Sequence, residues 1–283
     1  MKTPLQNKHR GRRSHLALAR AVTLGIAFCG WPVLADAESV DSEIVLLVDI
    51  TRPGLSSTEF NRLMDGYATA FTSNQIMDSI QSGSYGRIAV SMMFFGNSST
   101  QVTGIPWMEI GNTTQAQQFA NLARNVVRPF SVANPDVGSA LTAATFSFGT
   151  ETGGTSNGFE SVVQIVEVAS GREPQFWTAG STATSSSNAL ASGVDMINAL
   201  ALGNRANAVD NFYTANVIGS TINGLPATST SSQFNGALAS TISGLMTDSV
   251  QAGAAVSVNA VPEPSTLLGL IPATLLLLRR RKR

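Results

Sequence analysis

The chain is nearly empty of soft and basic catalytic side chains. Its single cysteine, Cys29, and both histidines, His9 and His15, lie near the amino terminus, and its lysines are confined to the two ends, at Lys2, Lys8 and Lys282. From Glu38 to Ala260 there is no Cys, His or Lys. For that span this excludes disulfides, Cys/His zinc sites, Ser-His and Cys-His nucleophile pairs, and Schiff-base or Ser-Lys chemistry. Positive charge is scarce as well. Only Arg52, Arg62, Arg87, Arg124, Arg128, Arg172 and Arg205 stand against 16 acids, a net charge of −9 inside a chain whose formal charge is zero. Nucleic acid and anionic membrane surfaces both call for clustered Lys and Arg, so neither is a fitting partner. What remains is a span rich in Ser, Thr, Asn and Gly with regular apolar runs, long enough for one substantial core.

The basic residues concentrate at the ends for a different reason. Met1–Arg20 is basic, Ala21–Leu34 is apolar, and Ala35-Asp36-Ala37 places small residues where a signal peptidase reads them. This is the pattern of a secretory signal over residues 1–37, cleaved after Ala37, with an uncleaved anchor as the alternative. Arg12-Arg13 leaves Sec against twin-arginine export open. At the other end Val261-Pro262-Glu263-Pro264 is followed by a short apolar stretch to Leu278 and then by Arg279–Arg283. These parts, in this order, resemble the PEP-CTERM sorting signal. The resemblance implies an exosortase-type processing enzyme as partner and transient inner-membrane anchoring through a C-terminal hydrophobic helix. It further implies delivery to the outer envelope or the exterior, with exopolysaccharide or a surface protein as possible company. The plainer alternative is a single C-terminal anchor.

Between the ends, strands and helices alternate. Ile44–Val48 is a continuous apolar run ending at Asp49, as in a strand covered on both faces. Thr51-Arg52-Pro53-Gly54 predicts a turn. Ser57 is placed to cap a helix that carries Phe60, Leu63, Met64, Tyr67 and Phe71 on one face. Further strands are expected at 87–95, at 101–110 (an edge, given Pro106), at 161–168, at 194–202 and at 215–219. Helices are expected at 116–127, at 137–146, up to Gly193, and at 234–246. The spacing predicts an α/β fold with a mostly parallel sheet flanked by helices, a domain over 43–247, and a polar linker over 248–260 before the sorting segment 261–283. Ligands of such sheets sit beyond the carboxyl ends of the strands, where Asp49 falls.

The stretches IVLLVDIT, EFNRLMDGYATAF, GRIAVSMMFF, IPWMEI, DVGSALTAA, GVDMINALAL and FYTANVIG, in that order, resemble a von Willebrand factor A-like family of bacterial proteins, the DUF1194 group. The resemblance implies a Rossmann-like fold and, where the chemistry survives, a metal-ion-dependent adhesion site. That site uses Asp-x-Ser-x-Ser after the first strand, a Thr from a later loop and an Asp after the fourth strand to give Mg²⁺ or Mn²⁺ an oxygen shell. Here Asp49 and Thr51 keep two positions, Pro53 has no side-chain oxygen, Asp136 falls where the Thr belongs, and the last loop offers Arg172-Glu173 in place of the acid. The pattern implies a degenerate site with no resident metal. A metal-dependent module using Asp49 and Thr51, with Ser56, Ser57 or Asp136 rebuilding the shell, is the alternative.

A third possibility is a carboxylate-based hydrolase of envelope polysaccharide, with Asp49, Glu59, Asp136, Glu167 and Asp195 as the acids nearest strand ends. Trp107 and Trp177 are candidates to stack on sugar rings, although aromatics beside strands more often fill the core. The leading expectation is an exported, non-catalytic binding module.

Overall fold

The computed structural model describes residues 37–260 except 53, 130–133 and 176–177. In chain order the elements are β1 (Glu38–Ser39), β2 (Glu43–Asp49), α1 (Ser57–Phe71), α2 (Asn74–Gln81), β3 (Ile88–Phe95), β4 (Gln101–Ile110), α3 (Thr113–Asn125), α4 (Val137–Ser147), β5 (Phe159–Glu160), β6 (Gln164–Ser170), α5 (Ala179–Ala191), β7 (Met196–Leu202), α6 (Ala206–Asn216), β8 (Gly219–Ser220), β9 (Ser229–Ser232) and α7 (Leu238–Ala260). The signal segment through Ala35, the sorting residues Val261, Pro262, Glu263 and Pro264 with the expected hydrophobic helix behind them, Pro53 and Trp177 lie outside the described residues. Among the described residues no helix is long and apolar enough to cross a membrane.

The main sheet runs β4-β3-β2-β6-β7-β8, with β9 also on β7. β3, β2, β6, β7 and β9 pair in parallel, while β4 and β8 are antiparallel to their neighbours. The fold is therefore α/β with a mixed sheet, parallel through its centre. β2 is buried along its whole length because both faces are covered. Ile44, Leu46 and Val48 point to one core with α1, α2, α3 and α7, and Val45 and Leu47 point to the other with α4, α5 and α6. β4 is the expected edge. Its register slips twice against β3, near Gly104 and Pro106, and a Cβ on Gly104 would lie 2.2 Å from the Phe94 ring.

The helix expected after the first turn is present, and its five apolar residues are all buried. Its cap is Ser56 rather than Ser57: Ser56 Oγ accepts the Glu59 N–H, and the Glu59 carboxylate accepts the Ser56 N–H. Three elements correct the sequence reading. The segment 215–219 is the end of α6 followed by β8. Its apolar Val217-Ile218 imitates a strand, while α6 itself shows the core only Ala206, Val209 and Tyr213. α2 is a short helix whose apolar face is Ile76, Met77 and Ile80. The largest correction is the linker, because α7 continues without a break through 248–260. Its far end is tied down by Ser257, which donates to Asp41, and by Gly253, where a Cβ would lie 2.6 Å from Ser42. The polar composition misled because small Ser, Gly and Ala are what a close helix–strand approach requires.

Candidate functional site

The carboxyl end of β2 is the place the topology singles out. Asp49 is fully buried there. Oδ1 accepts the Thr51 N–H at 2.7 Å, and Oδ2 accepts the hydroxyls of Thr51 at 3.1 Å and of Ser170 at 2.6 Å. Asp49 and Thr51 are thus brought together in a turn closed by the aspartate side chain. Ser170, at the end of the adjacent strand β6, completes the knot, and no sequence pattern had singled it out. Burial raises the Asp49 pKa to about 6, against the opposing effects of the Ser170 and Thr51 hydrogen bonds and of the Arg128 charge.

The loops above this carboxylate are shut by backbone. A Cβ on Gly54 would stand 2.7 Å from Asp49 Oδ2 and 2.9 Å from Thr51 Oγ1. A Cβ on Gly171 would stand 2.1 Å from the Gly54 carbonyl oxygen. The two glycines therefore touch directly over the aspartate. Arg128 is the cation of the site. Its Nη2 donates to the carbonyls of Ile50 at 2.7 Å and Thr51 at 3.0 Å, and its guanidinium lies 5.5 Å from the centre of the Phe60 ring. Burial lowers its pKa and the Asp49 charge opposes that. The sequence puts Arg172 beside Glu173 in the last loop. Glu173 instead pairs with Arg205. The available signal for Arg128 was its rarity: an arginine between Val127 and Pro129, in a span with few cations.

Asp136 does not join the knot. It caps α4, accepting the Ser139 N–H at 2.9 Å and the Ser139 hydroxyl at 3.0 Å. Ser56 is spent on its capping box and Ser57 begins α1. Among the described residues no group of three or more His, Cys, Asp or Glu is placed to hold a metal. A divalent ion at Asp49 would have to compete with the hydrogen bonds from Thr51 and Ser170. The retained aspartate accepts three hydrogen bonds from protein donors, the Gly54 backbone lies against it, and the Arg128 charge acts on it.

The five acids considered for hydrolysis are scattered. Glu59 is exposed in its capping box and Asp136 caps a helix. Asp195 accepts the Gln164 N–H and the Thr221 hydroxyl. Glu167 is buried under α7, accepting from Asn198 and Ser249. Trp107 is half-buried on β4, its indole N–H donating to the Ser147 carbonyl at 2.9 Å.

A family model described as a protein of unknown function, DUF1194, matches residues 39–244, which is most of the chain. The chain belongs to the DUF1194 family. No curated protein matches it. Among solved structures it is similar to proximal thread matrix protein 1 from the mussel byssus, with a TM-score of 0.51 and 14% identity over 76% of this chain and 49% of that one. This DUF1194 chain thus spans about half the length of that protein, and the likeness concerns the fold. At lower similarity it resembles the pilus adhesin SpaC from Lactobacillus rhamnosus GG (TM-score 0.48, 12% identity, 76% and 31% covered) and the SpRpn10 VWA domain (TM-score 0.43, 12% identity, 73% and 93% covered).

Proposed function

We propose that this chain is an exported, non-catalytic binding module of von Willebrand A-like fold whose adhesion-type metal site has been closed into a structural knot. The observation that carries the reading is the state of Asp49, wholly buried with both oxygens engaged by Thr51 and Ser170. An adhesion site needs that carboxylate free for a cation and open to a partner. Here Arg128 supplies fixed positive charge from inside.

The same reading extends to the ends of the chain. A leader cleaved after Ala37 and a tail processed near Pro262-Glu263-Pro264 would release an acidic span at the outer envelope or beyond. The two described ends lie at one pole of the sheet. β1 leads into the start of β2, and the last turns of α7 rest on Asp41 and Ser42 at that same pole. Asp49 lies at the opposite pole, roughly 20 Å away for a strand of this length.

Two measurements test this. Millimolar Mg²⁺, Mn²⁺ or Ca²⁺ is expected to move the melting temperature by less than about 1 °C. An ion present at a hundred times its Kd would add about 2.7 kcal/mol, worth several degrees in a domain of this size. The intact mass of the protein recovered from envelope and medium is expected to show loss of both end segments. A full-length chain found in the cytoplasm would defeat the export half.

A further inference from the structure

The face of the sheet carrying Val45 and Leu47 is covered by α4, α5 and α6, and α4 packs over β2 and β3. Among the described residues the helix packed on β4 is α3, which belongs to the other face. On the side of α4, Thr103 and Pro106 of β4 are exposed, and this strip lines a groove of about 670 Å³. That is within the ~300–1,000 Å³ typical of small-molecule sites. Ser91 and Thr103 lie in its floor, Trp107 and Phe146 flank it, and Thr155 and Ser156 close one side.

Its chemistry is selective. No lining side chain carries a charge. An anionic polymer would find no Arg or Lys and a cation no carboxylate, although acids outnumber bases so heavily in this span. Behind the groove, Asn157 donates to buried Glu43, whose pKa burial raises to about 8, which favours its neutral form. Thr103, Thr155 and Ser156 are exposed hydroxyls. The Trp107 ring is held by its bond to Ser147 and by the Phe148 ring at 5.6 Å. Phe146 is 57% exposed, a large apolar ring left in water at the groove's edge. Uncharged hydroxyls on the floor and aromatic rings at the sides match a ligand with apolar faces and hydroxyl edges, which is the surface of a pyranose.

We infer that this groove binds a neutral oligosaccharide, with a sugar ring against Phe146 and Trp107 and its hydroxyls on Thr103, Thr155 and Ser156. The inference deepens the binding-module reading and rests on it. The test titrates the full chain with neutral gluco-, manno- and galacto-oligosaccharides, followed by tryptophan fluorescence and calorimetry. At least one is expected to saturate. Phe146→Ala and Thr103→Arg, both at exposed positions, are expected to weaken it about tenfold or more while melting within about 2 °C of the wild type. A charged uronic-acid oligosaccharide is expected not to compete. If none of these neutral sugars binds the wild type, or if both variants bind as it does, the groove assignment is overturned. Sugar binding that the variants leave intact would still support a binding module. Shortened sugars recovered after incubation would overturn the non-catalytic reading itself.

Discussion

The full chain is expected to melt about 10 °C higher at pH 5 than at pH 8.5, the reverse of a protein held together by ionised carboxylates. Three buried acids cause this. Glu43, Glu167 and Asp49 have pKa values raised to about 8, 7 and 6, in each case chiefly by burial. Their unfolded values are near 4. Between roughly pH 4 and pH 8 the folded chain therefore binds more protons than the unfolded one, and stability falls as pH rises. Each unit of difference corresponds to about 1.4 kcal/mol at most. Even a third of the combined shift amounts to several kcal/mol, or about 10 °C for a domain of this size. Repulsion among the exposed acids acts in the same direction, so a variant must separate the two effects.

Glu167→Gln does so. Glu167 Oε1 accepts Asn198 Nδ2 at 3.0 Å and the Ser249 hydroxyl, while Oε2 has no partner. Asn198 in turn accepts the Thr228 N–H at 2.8 Å, so this carboxyl joins β6, β7 and α7 through one buried network. Glutamine keeps the accepting oxygen and cannot ionise. The variant is expected to lose about a third of the pH slope and to melt above the wild type at pH 8.5. Stability that rises from pH 5 to 8.5, or a slope untouched by Glu167→Gln, would refute this account of the buried acids.

Gly171→Ala is expected to cost about 3 kcal/mol or more and to lower the melting temperature by roughly 10 °C. The added Cβ would meet the Gly54 carbonyl oxygen at 2.1 Å and Leu55 at 2.9 Å. The first obstacle is backbone, and it cannot rotate away. Relief requires the β6 loop to lift from the β2 loop, which opens the Ser170–Asp49 bond as well. Gly180→Ala provides the control, because a Cβ there meets nothing within 4 Å. If Gly171→Ala melts like Gly180→Ala, the loops over Asp49 are not in contact.

How much was legible follows from where the signal resides. β2, β3 and β4 were readable because long apolar runs admit few alternatives and Pro106 marks an edge. α1 was readable from five apolar residues at helical spacing. α6 and the second half of α7 were not: α6 shows the core only Ala206, Val209 and Tyr213, and the later turns of α7 bury mostly serine, alanine and glycine, which carry little hydrophobic contrast against a polar background. Asp49 and Thr51 lie together because two residues in one turn must do so. Ser170 and Arg128 were not legible, because they reach the knot from residues far along the chain, and only the folded sheet brings them there. Asp136 was assigned to the site by analogy of position, yet Ser139, three residues on, supplies a nearer use for its carboxylate. Phe146 went unremarked within a helix of small residues, and its exposure is visible only once α4 is seen to stop beside β4.

The closed state of Asp49 is most directly tested by titrating the full chain with Mn²⁺ and following the electron paramagnetic resonance signal of the free ion. The account predicts that the free-ion signal grows in proportion to added Mn²⁺ from the first addition, for the wild type and for Asp49→Asn alike. Stoichiometric loss of that signal in the wild type, restored by Asp49→Asn, would contradict it and return the site to metal-dependent adhesion.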